Sequence, residues 1–298
     1  MKNLLKFRIK LFIINLFFIM IVMFGLSSNL KILICTIAKQ ENKYINEFIE
    51  HYRNLKINKI IIYDNNNING ENFEDILKKD IKSKFIKIIN IRGLQQPQFM
   101  ALNKCYKKFN KYYDWIAFFD IDEFLYVNNF TNLKKFLSLP KFSKCQSIII
   151  NWKYYGDNNK LYYEPKPLKE RFIKKYDIEK IKINEINIYY YSAAKSIIRG
   201  GLKLKWGLFP HYIENSIKCK PDGTILNNYF SPPQYSFAYI NHYITKSTEE
   251  FIERLNRGDV MIKPDSNYTK DRIFNYYFLF NQLTKEKLDL FRKKNLIK

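Results

Sequence analysis

The chain has 298 residues and a mass of 36.1 kDa, and its 47% hydrophobic and 17% aromatic content fills a core for one large or two small domains, excluding wholesale disorder. Nine Gly and nine Pro leave no room for a collagen-like or low-complexity architecture, and no repeat recurs at solenoid or propeller periods. The 51 Lys+Arg against 28 Asp+Glu give a net charge of +23, but the lysines are spread along the whole chain with no Arg-rich or basic-aromatic patch, so no nucleic-acid partner is expected.

Residues 1–10 carry Lys2, Lys6, Arg8 and Lys10 and no acid, and residues 11–30 carry no charge at all. Twenty residues at about 1.5 Å each cover roughly 30 Å of hydrocarbon. The positive-inside rule then predicts a cytoplasmic tail (1–10), a signal-anchor transmembrane helix (11–29) and a translocated domain (30–298), in a secretory-pathway membrane for a eukaryotic or viral host. Gly25-Leu26-Ser27 keeps a cleaved signal peptide as the alternative.

Lys31 to Ile37 reads as a buried strand, followed by a helix with apolar residues at Tyr44, Ile45, Phe48, Ile49, Tyr52 and Leu55. A second strand, Lys59 to Tyr63, stops at Asp64-Asn65-Asn66-Asn67, completing a strand–helix–strand unit that suits a parallel crossover with its ligand beyond the strands' carboxyl ends. Phe85 to Ile91 is a third strand, Gln98 to Phe109 a helix, and Trp115 to Phe119 a fourth strand that ends at Asp120. Ser147 to Trp152, Lys195 to Arg199 and Phe237 to Tyr243 follow as strands. Ser247-Thr-Glu-Glu250 is a capping box opening a helix that ends before Gly258, and two amphipathic helices, Ile273 to Phe280 and Lys285 to Lys293, finish the chain. No Pro-, Gly- or Ser-rich linker interrupts it, which favours one α/β domain.

Four cysteines are too few for a disulfide scaffold, and none lies in a Cys-x-x-Cys pair. Cys35 and Cys105, in apolar surroundings, read as free buried thiols, with one disulfide compatible with a lumenal domain.

Asp120-Ile121-Asp122 sets two carboxylates two residues apart. In an extended segment they face one side and Glu123 the other, and hard carboxylate oxygens suit Mn²⁺ or Mg²⁺ with positions left for a diphosphate.

These residues carry a resemblance. Cys35-Thr-Ile-Ala-Lys39-Gln-Glu41-Asn42 with Glu47 and His51, Tyr63-Asp64-Asn65, Gln98 with Ala101 and Cys105, and Trp115 to Phe124 are similar to glycosyltransferase family 92 and its family 2-like relatives. Trp152 with Tyr155-Gly156, Lys195 to Arg199, His242-Tyr243, Lys246-Ser247, Glu250-Phe251 and Arg257-Gly258 resemble the later motifs of that family in the same order. The resemblance implies a GT-A nucleotide-diphosphosugar fold, a Rossmann-like mixed sheet flanked by helices. It further implies a divalent metal, a nucleotide-sugar donor, a glycan or glycoconjugate acceptor, and inversion at the transferred carbon.

Carried over, the family pattern makes Asp122 a metal ligand and brings Asp120 to the metal or the donor ribose. It sets Asp64 near the nucleoside, Lys39 and Glu41 at the donor pocket, and His242 as a further ligand. The chain departs from the pattern at Gln40, where relatives carry Asn, and at Tyr155-Gly156-Asp157, where Phe-Gly-Ser is expected; Asp157 is the nearest candidate for general base. A haloacid-dehalogenase-like phosphatase also uses Asp-x-Asp after a buried strand, but needs Thr or Val where this chain has Phe124 and places the motif on its first strand. A noncatalytic basic protein bound to anionic lipid or nucleic acid is the reading from another class.

Overall fold

The computed structural model describes residues 29–176, 194–203, 211, 213, 216–227, 232–258, 274, 277–294 and 296. The expected tail and spanning segment fall outside these, apart from residue 29. Among the described residues no helix is long and apolar enough to cross a membrane.

The parallel half of the sheet is built from β1 (Ile32–Ala38), β2 (Lys59–Asp64), β3 (Ile86–Asn90) and β4 (Trp115–Phe118), in the spatial order β4-β1-β2-β3. Every residue of β1 is buried. Ile32 and Ile34 enter one core and Leu33, Cys35 and Ile37 the other, so the strand reads as a continuous apolar run rather than an alternation. One face is covered by α1 (Ile45–Asn54), which buries Ile45, Phe48, Ile49 and Tyr52 at helical spacing, and the two short helices α2 (Phe73–Ile76) and α3 (Lys78–Lys82) follow β2. The other face is covered by α4 (Gln98–Phe109), with Ala101, Leu102, Cys105 and Tyr106 inward.

After β4 the chain turns into β5 (Glu123–Val127) and α5 (Leu133–Leu137), then enters the long strand β6 (Ser147–Tyr155). Its first half pairs with β8 (Ala194–Arg199), which lies antiparallel between β6 and β4. Its second half leaves the main sheet and pairs with β11 (Ala238–His242), itself antiparallel to β5. The sheet therefore curls, and β6 joins its two leaves. Short strands β7 (Lys175–Tyr176), β9 (Lys218–Cys219) and β10 (Ile225–Leu226) fill the edges, and α6 (Leu168–Arg171) lies between β6 and β7. The chain closes with α7 (Thr248–Arg257) and α8 (Lys285–Lys293). The capping box of α7 forms as expected, and Gly258 ends that helix at φ +76°, a conformation that favours a residue without Cβ.

The cysteines correct the free-thiol expectation. Cys35 on β1 is bonded to Cys105 on α4, and Cys145 to Cys219, leaving no free cysteine. The partners lie 70 and 74 residues apart in sequence, so nothing local marked them. Helix-on-sheet packing brings the first pair together, and the parallel β6/β9 pairing the second.

Candidate active site

The carboxyl ends of β1, β2 and β4 open on one edge of the sheet, where most of the expected site residues gather. Residues 120–123 form a turn and not the extended segment expected: the Glu123 N–H donates to the Asp120 carbonyl at 3.0 Å, and the Glu123 carboxylate accepts from the Asp120 N–H at 3.0 Å. The turn reverses the expected pairing of side chains. Asp120 and Glu123 converge on Lys195, whose Nζ lies 2.7 Å from Asp120 Oδ2 and 3.5 Å from Glu123 Oε1. Asp122 points instead toward the β11–α7 segment.

There Asp122 Oδ2 meets Lys246 Nζ at 3.2 Å and Arg254 Nη1 at 3.3 Å, while Oδ1 faces His242 Nε2 at 3.6 Å. The β5/β11 register, with His242 opposite Glu123, fixes this approach, and the Tyr243 N–H donates to the Asp122 carbonyl. Burial alone would raise the Asp122 carboxyl, but Lys246, His242 and Arg254 outweigh it and hold the group well below the usual carboxylate range. Burial pushes His242 down to about 4, against the pull of Asp122, so the imidazole is neutral at neutral pH. Burial also drives Glu123 well above its ordinary value, with Lys195 opposing, and Lys195 itself is raised because Asp120 and Glu123 outweigh its own burial.

Asp122 and His242 offer a divalent cation two ligand atoms, with Lys246 and Arg254 held against the same carboxylate. The 3.6 Å gap between Asp122 Oδ1 and His242 Nε2 is too long for a hydrogen bond, yet one ion with bonds of about 2.1 Å spans it. The other ring nitrogen, Nδ1, has no hydrogen-bond partner among the described residues. Among the described residues no group of three His, Cys, Asp or Glu side chains assembles, so two protein ligands would leave the remaining positions to substrate oxygens and water.

The donor-side candidates are more engaged than the sequence suggested. Lys39 Nζ donates to the Arg257 carbonyl at 2.9 Å. Glu41 lies before α1, not in its first turn, and pairs with Arg257 through one oxygen while the other has no partner. Asp64 accepts from the Asn66 N–H and from Arg92 Nε at 2.8 Å, combining an Asx turn with a buried ion pair. Asp157 is 2% exposed, with Lys287 Nζ at 2.6 Å and the Tyr277 hydroxyl at 2.9 Å from Oδ2 and the Asn159 N–H on Oδ1. It ties the loop after β6 to the C-terminal helices. Trp152 packs into the core with its ring tilted by 56° against that of His242, centroids 4.6 Å apart, and its Nε1 has no partner among the described residues.

A cleft of about 350 Å³ lies between the β1–α1 loop and α7, where the cations Lys43, Lys246, Arg254 and Arg257 alternate with the acids Glu71, Glu250 and Glu253. Among the described residues Thr36 Oγ1, Glu41 Oε2, Asn42 Oδ1 and Asn66 Nδ2, toward this edge, are buried without a hydrogen-bond partner. Such groups are uncommon in finished protein interiors. The sequence reading missed Lys195, Lys246, Arg254 and Arg257 as site residues; Lys195, Lys246 and Arg257 fall within the later motifs, and Arg254 falls in none of them.

The Asp-x-Asp turn follows the fourth strand in chain order, unlike the first-strand motif of the phosphatase alternative. The sequence model of glycosyltransferase family 92 matches residues 31–273. No curated protein matches the sequence. Crystal structures of S. aureus TarS cover 84% of this chain at low similarity. One is 13% identical with a TM-score of 0.41, and TarS 1–349 in complex with UDP is 15% identical with a TM-score of 0.42. The chain spans 43% of the first TarS chain and 71% of the second.

Proposed function

Because the chain belongs to glycosyltransferase family 92, we propose that it is a metal-dependent GT-A enzyme moving a hexosyl group, with inversion, from a nucleotide diphosphosugar to a hydroxyl of a glycan or glycoconjugate. The observation that carries the reading is the cluster at the carboxyl edge of the sheet in which Asp122 meets His242, Lys246 and Arg254, while Asp120 of the same turn pairs separately with Lys195.

Asp122 and His242 would hold Mn²⁺ or Mg²⁺, which when bound offsets charge developing on the leaving diphosphate. Asp120, whose carboxylate is 39% exposed, is the open acid of the turn and faces the donor. Lys195 fixes its orientation and that of Glu123. Lys246 and Arg254 bring positive charge to the cleft wall, preorganised by burial and by their contacts with Asp122. The unpartnered atoms of Thr36, Asn42 and Asn66 supply hydrogen bonds to the nucleoside end of the donor.

The catalytic domain belongs, in this reading, on the far side of a membrane spanned by residues 11–29, with the N-terminus cytoplasmic. Two disulfides support it, since a reducing cytosol does not keep such bonds. The test is a panel of nucleotide sugars with Mn²⁺ or Mg²⁺, comparing wild type with Asp122→Asn. One donor is expected to be consumed by wild type alone, the variant losing at least 100-fold in kcat when assayed below its own melting temperature, which falls through loss of the Lys246 and Arg254 contacts. Turnover of no donor with any acceptor, or an active Asp122→Asn protein, overturns the proposal.

A further inference from the structure

Lys246 and Arg254 reach the same oxygen of Asp122 and also line the cleft beside the β1–α1 loop. Lys246 is held there against local preference. It is 5% exposed and sits at φ +56°, a left-handed conformation that costs a non-glycine residue on the order of 1–2 kcal/mol. Gln40, across the same cleft, is left-handed too, at φ +53°. The other two cations of the cleft are committed elsewhere: Lys43 pairs with Glu253, and Arg257 with Glu41 and the carbonyls of Lys39 and Gln40.

The charges around Asp122 are unbalanced. Asp122 faces both Lys246 and Arg254, so a divalent ion placed between Asp122 and His242 meets two like charges a few ångströms away. The acids of the cleft are engaged, Glu253 with Lys43, Glu250 with Arg171 and Glu71 with the Asn42 N–H, so a diphosphate there offers Lys246 and Arg254 an alternative partner.

We infer that Lys246 and Arg254 couple metal to donor: with the cleft empty they occupy Asp122 and keep a divalent ion out, and on arrival of a nucleotide they transfer to its diphosphate, so that the two ligands bind as a pair. The inference rests on the metal and nucleotide reading above and adds to it an order of assembly. By linkage, whatever factor the nucleotide adds to metal affinity, the metal adds to nucleotide affinity.

The experiment measures Mn²⁺ binding to the full chain by the loss of free-ion electron paramagnetic resonance signal, alone and with UDP, GDP or CDP. In wild type one nucleotide is expected to tighten Mn²⁺ binding about tenfold or more. In Lys246→Met and Arg254→Met, Mn²⁺ alone should bind about threefold or more tighter than in wild type, and the gain from nucleotide should shrink by at least the same factor. Arg254 is a half-buried helix residue, so its variant keeps the test alive if Lys246→Met does not fold. Lys107→Met, on the exposed face of α4 away from the cleft, should match wild type in Mn²⁺ binding with and without nucleotide. A wild-type gain that survives unchanged in both variants overturns the coupling and leaves the transferase reading standing. A wild type whose Mn²⁺ binding responds to no nucleotide, together with turnover of no nucleotide sugar, overturns both.

Discussion

Arg171 on α6 and Glu250 in the first turn of α7 form a buried bidentate pair, with Nη1–Oε2 at 2.7 Å and Nη2–Oε1 at 2.9 Å. Glu250 also accepts from the Tyr44 hydroxyl and the Ser247 hydroxyl, so one carboxylate locks α6, α1 and the start of α7 together. Burial would raise this carboxyl, but hydrogen bonds from Arg171, Ser247 and Tyr44 bring it down to about 2 from 4.5. At about 1.4 kcal/mol per pKa unit the ionised form gains on the order of 3 kcal/mol in the folded state. Because the folded pKa is depressed, that stability is present above about 4.5 and is lost as pH falls through about 2.

Arg171→Met leaves Glu250 buried and charged, and is expected to cost about 3–5 kcal/mol at pH 7, or roughly 6–10 °C in Tm. The deficit should narrow as pH falls from about 4.5 toward about 2, where wild type loses the same contribution. Arg171→Met with Glu250→Met removes both charges and should regain most of the loss. Chemical unfolding at pH 7, 4 and 3 measures all three proteins. A single variant within about 1 kcal/mol of wild type, or a double variant worse than the single one at every pH, refutes the reasoning.

Asp157→Asn is expected to lower Tm, through loss of the Lys287 and Tyr277 contacts, with transfer falling only as the folded fraction falls; a kcat reduced about 1000-fold at unchanged Tm would instead assign Asp157 the proton transfer. Protein from an oxidising compartment should show no alkylatable thiol when denatured without reductant, and Cys145→Ser should lose up to about 4 kcal/mol through loop entropy, whereas four reactive thiols would refute the pairing. Asn129, exposed in the Asn129-Phe130-Thr131 sequon, should be glycosylated in a eukaryotic host, and a protease-sensitive, unglycosylated domain on the cytosolic side of sealed microsomes would reverse the topology.

The parallel half of the fold was legible because its signals are local. β1 and β2 are apolar runs with abrupt polar ends, α4 appears at its predicted bounds, and the capping box of α7 forms from adjacent residues. What escaped depends on distant chain. β5 was hidden because Glu123-Phe-Leu-Tyr-Val is stabilised as a strand by β11, more than a hundred residues later. The same pairing bends residues 120–123 into a turn, which sent Asp120 and Asp122 to different cations where an extended chain would have aligned them.

The cations of the site posed another difficulty. Among 51 Lys and Arg, composition cannot single out four. Yet Lys246 breaks a rule that its neighbours obey. It immediately precedes the Ser247 cap of α7, where the helix dipole favours negative charge, as Glu249 and Glu250 illustrate on the following turn. A lysine buried at that helix entrance, at positive φ, is unfavourable on three counts, and the partner that offsets them, Asp122, lies 124 residues away. Arg254 and Arg257 follow at a spacing of three on the same helix, so α7 carries a cation at its entrance and two near its exit along the wall of one cleft. Local preferences accordingly predict the helix correctly and mispredict Lys246, and natural sequences concentrate such conflicts where a ligand, rather than the fold alone, decides the residue.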